Sequence, residues 1–260
     1  MIKMSTYITY LTGGLLGDFI HSLSVCKSLY DSTGKKAVIL ISDEGDKFRF
    51  GAKQAFEDVQ ELLLQQPYVQ SCHVYDNVSD SAVVIDINLT TWRSSPLLFR
   101  TTWDVIYNEW YQITNWGKQA WLRTDESEDE ANTIYFNMSI ARFVPYFPFH
   151  KLMQLSKRVV FLCFHQNEAE AFFAKSNIRL DVRVVKDAQE MACRINNSYG
   201  FIGNLSSPLA ICIACHKYCL ALLGPVGNND AIHMKLTTDQ IANYHYWCDD
   251  QHCTKTVDTF

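Results

Sequence analysis

With 260 residues, 48% of them hydrophobic and 20% charged, the chain can bury one large core or two smaller ones and has the composition of a globular rather than a disordered protein. A formal net charge of -5 argues against a nucleic-acid backbone as the main partner. No apolar run approaches the length of a membrane span, and the amino terminus lacks a secretory pattern. The nine cysteines, an odd number scattered mainly through apolar segments, read as reduced thiols, so a cytoplasmic protein is expected.

In chain order, Tyr7, Ile8, Tyr10 and Leu11 supply the bulky residues of a first strand. Gly13, Gly14 and Gly17 follow as a turn that can adopt positive φ and admit a ligand to bare backbone. Ile20, Leu23, Ser24, Lys27 and Leu29 then fall at helical spacing, so the turn opens a helix whose first amides face outward and can hold an anion. Asp18 stands at that mouth. Two readings of it are open, an N-cap that satisfies the free amides and a catalytic base. His21, one turn on, either orients Asp18, touches a substrate or is a structural histidine.

Ala37 to Ile41 predicts a second strand, ending in the charged loop Ser42 to Gly51, and Ala52 to Gln66 a helix closed by Pro67. Cys72 to Tyr75 and Ala82 to Ile87 predict two more strands, the latter apolar enough to be covered on both faces. Asp86 to Pro96, which contains Trp92 and Arg93, comes next at a strand's carboxyl end, where open α/β sheets bind ligands. A helical stretch rich in Trp and Tyr runs from Leu97 to Tyr111, suited to a core edge or a sugar-binding wall.

The composition turns acidic at Thr124 to Asn132, which marks a domain boundary: a first domain over 1–124, a linker over 125–132, a second domain over 133–225 and a tail over 226–260 packing back on them. Beyond the linker, strands are expected at Thr133 to Met138, Arg158 to Phe164, Asp181 to Val185, Tyr199 to Ile202 and Tyr218 to Leu222. Helices are expected near Phe149 to Leu155, Glu168 to Lys175, Asp187 to Asn197 and Pro208 to His216. This alternation predicts an α/β protein of two Rossmann-like domains with parallel sheets and a cleft between them. Ser207 as N-cap and Pro208 as first helical residue specify a second helix start that could hold a diphosphate.

Gly14-Leu-Leu-Gly-Asp-Phe-Ile-His-Ser-Leu resembles the amino-terminal signature of heptosyltransferase-like GT-B glycosyltransferases, and Phe201-Ile-Gly-Asn-Leu-Ser-Ser-Pro-Leu-Ala is similar to that family's donor-phosphate turn. Asp86-Ile-Asn-Leu-Thr-Thr-Trp-Arg is similar to compact viral and phage relatives. The resemblance implies a GT-B fold and inverting, metal-independent transfer of a sugar from a nucleotide-diphosphate sugar to a glycan or glycoconjugate acceptor, without a further cofactor. It makes Asp18 the base, the backbone near Asn204, Leu205, Ser206 and Ser207 the diphosphate site, and Gly13, Gly14, Gly17, His21, Trp92 and Arg93 the acceptor side. The family's second motif usually begins Asp-Thr-Gly, and Gly203-Asn204-Leu205 stands in its place here.

Arg142, just past a predicted strand, is a candidate phosphate ligand, and His165, Gln166 and Glu168, at the end of another, could read a base or ribose. No two aspartates lie two positions apart, so the Asp-x-Asp metal element of other glycosyltransferases is missing. His245, Cys248, His252 and Cys253 have zinc-like residue types without a standard spacing, and no metal is assigned. Two alternatives stay open: a catalytically silent GT-B-like binding protein, and an NAD(P)-dependent oxidoreductase holding ribose on Asp43 or Glu44, for which the glycine spacing is wrong.

Overall fold

The computed structural model describes residues 6–43, 48–76, 82–98, 100–125, 130–224 and 244–247. The amino half builds a parallel sheet in the order β3-β2-β1-β4 from β1 (Tyr7–Thr12), β2 (Lys36–Ile41), β3 (Val69–Val74) and β4 (Ile87–Asn88). Its helices are α1 (Leu16–Thr33), α2 (Gly51–Leu64) and α3 (Trp103–Tyr111). The carboxy half has a six-stranded parallel sheet in the order β10-β9-β8-β5-β6-β7. It is formed by β5 (Glu130–Asn137), β6 (Arg158–Cys163), β7 (Asp181–Val184), β8 (Ser198–Asn204), β9 (Cys219–Leu222) and β10 (Tyr244–Trp247), with helices α4 (Gln166–Ser176), α5 (Ala188–Asn197) and α6 (Ser207–Ala214). Counted within that half, this is the Rossmann order 3-2-1-4-5-6.

The halves are stacked through their helices. α1 lies on α6 and α2 on α5, and one apolar cluster runs from Tyr10 and Ile39 of the first sheet through Leu23 and Ile211 to Tyr135 and Phe201 of the second. A second cluster, with Phe136, Phe161 and Phe172, fills the far face of the second sheet under α4. α6 is apolar all round and buried from Pro208 to Ala214, as an interior helix must be. α1 reaches the same burial with serines: Ser22 and Ser24 donate their hydroxyls back to the carbonyls of Phe19 (2.7 Å) and His21 (2.8 Å). Small residues with internally satisfied hydroxyls let the neighbouring layers approach closely.

The chain between the halves is a strap. Trp121 donates its indole N–H to Ile20 O in α1 (2.8 Å), while the backbone N–H groups of Trp121 and Leu122 donate to Ala214 O at the end of α6 (2.9 and 3.1 Å). Gln66, buried at the end of α2, bonds Arg123 in both directions, its Nε2 donating to the carbonyl (3.0 Å) and its Oε1 accepting from the N–H (2.9 Å).

Several expectations change. The run Ala82 to Ile87 is not a strand covered on both faces: β4 is two residues long and Val84 is 76% exposed. It is an edge segment, joined to β1 where the Asp86 carboxylate accepts from Thr9 N (2.8 Å) and Asp86 N donates to Thr9 O (3.0 Å). The helix expected from Leu97 begins at Trp103. The acidic stretch 125–132 overlaps β5, because the Glu130 carboxylate is neutralised by Arg194 (2.7 Å) and accepts from the Tyr135 hydroxyl (2.5 Å). Within the tail, β10 pairs with β9, while Cys248, His252 and Cys253 lie outside the described residues.

His21 belongs to the core. It is 5% exposed, stacks on Trp103 at 5.3 Å and is flanked by Trp116 and Trp121 at 6.1 and 6.4 Å. Its Nδ1 has no hydrogen-bond partner among the described residues, and burial pushes its pKa down to about 4. The folded state therefore resists a proton that the unfolded chain takes up below its ordinary value near 6.5. His21 contributes full stability above pH 6.5 and loses it as the pH falls toward 4, by about 3 kcal/mol. Urea unfolding at pH 7 and pH 4.5 should show this loss in the native chain, and His21→Phe should flatten the difference.

Candidate functional site

In an open parallel sheet ligands bind beyond the carboxyl ends of the strands, where neighbouring connections leave in opposite directions. In the amino half that point lies between β1 and β4, flanked by the glycine turn and by residues 89–95. In the carboxy half it lies between β5 and β8, flanked by residues 138–142 and the start of α6. The stacking of α1 on α6 brings the two points together. A β-carbon built on Gly17 would stand 3.7 Å from Ser206 C and Ser207 N and 3.8 Å from Ala210 Cβ, so the first turn of α1 touches the first turn of α6.

Among the three glycines of the amino turn, Gly14 alone takes positive φ, at 93°. Gly17 serves the contact with α6 instead. Leu15 is the N-cap, its carbonyl accepting from Phe19 N (3.0 Å), which places Asp18 at the third helical position and removes the N-cap reading. Asp18 Oδ2 accepts from the Arg93 guanidinium at 2.5 Å, with the side chains 20% and 27% exposed. Arg93 rides on a 3-10 turn, Thr91–Ser94, that Asn88 secures through the amide and hydroxyl of Thr90 (2.9 and 2.7 Å). Its guanidinium carbon also lies 4.6 Å from the centre of the Trp92 ring. Trp92 is 4% exposed and packs on Trp103 and Tyr107, so it supports Arg93 from the core and does not line the mouth; His21 is likewise turned away from it.

On the carboxy side the Asn204 side chain is a clamp. Its Oδ1 accepts from Ser139 N (2.9 Å), and its Nδ2 donates to Ser139 O (2.9 Å) and Arg142 O (2.7 Å). This fastens the loop after β5 to the end of β8 and commits both amide N–H donors, so the side chain has no donor to offer a phosphate. Gly203, where the resembled family carries Asp, is imposed by packing: a β-carbon there would lie 2.6 Å from Asn137 O and from the Phe201 ring. Arg142 donates to Leu205 O (2.8 Å), and the single Ser206 hydroxyl proton is within reach of Asn204 O (3.0 Å) and Asn137 Oδ1 (3.3 Å). Ser206 is the N-cap, one residue earlier than expected, with Ser207 and then Pro208 opening the helix. The backbone N–H groups of Ser207 and Leu209 are first-turn amides without intrahelical acceptors, and Arg142 reaches the carbonyl of Leu205 just before them.

His165 and Gln166 lie exposed after β6. Glu168 spends Oε1 on the start of α4, accepting from Phe164 N (3.1 Å) and His165 N (2.9 Å). Asp43, the ribose ligand of the oxidoreductase alternative, accepts from Ala52 N (2.8 Å) at the start of α2, and Glu44 lies outside the described residues. The Asp18 to Arg93 pair and the exposed ring of Phe50, 6.5 Å from His165, had no signal in local sequence beyond their positions at strand ends. No group of three or more potential metal ligands and no helix long and apolar enough to cross a membrane occurs among the described residues.

Removing the Asn204 side chain would strand a buried N–H and two carbonyls. Asn204→Ala should therefore cost about 3 kcal/mol, read as a lower urea midpoint with an unchanged m-value.

No protein-family model matches the sequence, and no curated protein is significantly similar to it. Solved structures are. E. coli heptosyltransferase WaaC with ADP superposes with a TM-score of 0.60 at 10% identity, over 93% of this chain and 93% of that one. A glycosyl transferase family 9 protein from Veillonella parvula gives 0.56 at 15% identity, over 86% and 83%. E. coli ADP-heptose lps heptosyltransferase II gives 0.55 at 11% identity, over 93% and 90%. At these identities the likeness is one of architecture, and the chain has the two-domain GT-B fold of these glycosyltransferases.

Proposed function

We propose that the chain is a glycosyltransferase that moves a sugar from a nucleotide-diphosphate sugar to an acceptor hydroxyl, with inversion and without a metal ion. The observation that carries the reading is the contact of the two helix starts, Gly17 against Ser206 and Ser207, with Asp18 one residue further along α1. An acceptor held by the amino half and a diphosphate held by the carboxy half would then meet at one point. The solved WaaC structures with ADP and with ADP-2-deoxy-2-fluoro heptose add that this architecture accommodates a nucleotide sugar.

In the reaction, Asp18 accepts the proton of the acceptor hydroxyl as its oxygen attacks the anomeric carbon. The bond from that carbon to the diphosphate breaks, and its electron pair leaves with the nucleoside diphosphate. The amides of Ser207 and Leu209 and the Arg142 guanidinium stabilise the charge that develops there. Arg93 holds the Asp18 carboxylate in place, a positioning role. A single displacement, with the acceptor oxygen entering opposite the departing diphosphate, inverts the anomeric centre. Gly203, which stands where the resembled family carries Asp and has no side chain to offer a donor, favours a second reading, that of a catalytically silent binding protein.

The test is release of nucleoside diphosphate from ADP-, UDP-, GDP- and CDP-sugars with mono- and oligosaccharide acceptors, with and without EDTA. Turnover that survives EDTA and falls at least about 100-fold in Asp18→Asn, with donor affinity retained, supports the transferase. Donor binding without turnover in the native chain supports the silent reading.

A further inference from the structure

Phe50 occupies a position that local rules give to Ser, Thr, Asp or Asn. It is the N-cap residue of α2, yet its ring is 63% exposed and its side chain caps nothing. Asp43 takes over the capping through Ala52 N, which leaves residue 50 open to another use. A residue that breaks a local preference while its neighbour compensates is where a functional requirement is expected.

The surroundings of the ring indicate the use. Phe50 lies at the carboxyl edge of the amino sheet, in the connection from β2 to α2, and His165 lies at the carboxyl edge of the other sheet, in the connection from β6 to α4. The two rings meet across the halves edge to face, with centroids 6.5 Å apart and planes at 88°. The Arg49 guanidinium carbon sits 5.2 Å from the centre of the Phe50 ring. In an open α/β sheet a ligand lies across the carboxyl ends of the strands at the switch point. In the carboxy half that point is between β8 and β5, β6 is the next strand beside β5, and His165 lies two residues past its end. A nucleoside running from a diphosphate at the start of α6 across the end of β5 reaches the Phe50 and His165 rings.

We propose that the Phe50 and His165 rings, which meet at a corner between the two halves, form one wall of a slot that receives the nucleobase of the donor, the base packing on the exposed part of the Phe50 ring with His165 beside it. The inference rests on the donor reading given above and adds a residue of the amino half to nucleotide recognition. Gln166, exposed beside His165, offers an amide donor and acceptor to the edge of the base. Stacking is tolerant of base identity, so the slot sets affinity for a nucleoside while Gln166 would bias the choice.

Isothermal titration of the full chain with ADP, UDP, GDP, CDP and inorganic pyrophosphate tests it. The native chain should bind at least one nucleoside diphosphate about 10-fold more tightly than pyrophosphate. Phe50→Ala should remove that advantage and leave pyrophosphate affinity unchanged, and Phe50→Trp should keep it. Equal affinity of the native chain and Phe50→Ala for the nucleoside diphosphate overturns the slot, as does equal affinity of the native chain for pyrophosphate and every nucleoside diphosphate; in both cases the diphosphate site stands. Failure of the native chain to bind any of the five removes the donor reading and the slot with it.

Discussion

Helix α1 of the amino half lies directly on helix α6 of the carboxy half, and the rest of the molecule follows from that contact. Each helix opens at the point of its sheet where a ligand would bind. Packing them side by side turns two separate mouths into one. The contact needs close approach, which Gly17 provides at one end and the back-bonded serines of α1 provide along its length. The Trp121 strap, bonded to the second turn of α1 and the last residue of α6, ties the two helices together again at the end of α6. One apolar core then runs through both halves, so the geometry between the two mouths is set by buried packing and not by a loose linker.

The polar groups around the mouths are arranged to hold loops still. Asn204 fastens the loop carrying Arg142, Asn88 fastens the turn carrying Arg93, and Glu168 fastens the start of α4 beside His165. A site built on strand ends and helix starts, with its loops hydrogen-bonded to the frame, can keep a carboxylate and a guanidinium in place before a substrate arrives. Asp18 and Arg93 are such a pair, partly buried and backed by the indole of Trp92. The exposed groups are then those without a structural duty, Phe50 and Gln166 among them.

Much of this was legible in the sequence, for identifiable reasons. Alternating apolar segments and helical spacings located nearly every strand and helix, because each buries one regular stripe or face. The glycine turn before Asp18 and the serine and proline before Leu209 announced the two helix starts, because their chemistry is local. What local sequence does not carry is pairing over distance. Asp18 and Arg93 are 75 residues apart and meet through sheet order. Trp92, expected on the acceptor side, and His21, for which a substrate contact and a structural role were both open, belong to an aromatic core whose other members, Trp103, Trp116 and Trp121, come later in the chain. The apolar run at Val84 suggested a buried strand, yet it sits at a sheet edge, a distinction that composition cannot make. The side chain of Asn204 is a clamp, a duty that local sequence does not show because the loop it holds is contributed by residues 139 to 142.

The claim on which the account depends is that the two helix starts open on one site, so that a diphosphate held at the start of α6 lies against the start of α1. Amide chemical shifts of isotope-labelled protein, followed during titration with a nucleoside diphosphate, test it directly. The account predicts that the N–H signals of Gly17 and Asp18 in the amino half move together with those of Ser207 and Leu209 in the carboxy half, along a single saturation curve. Shifts confined to one half, or saturating at separate concentrations in the two, would contradict it.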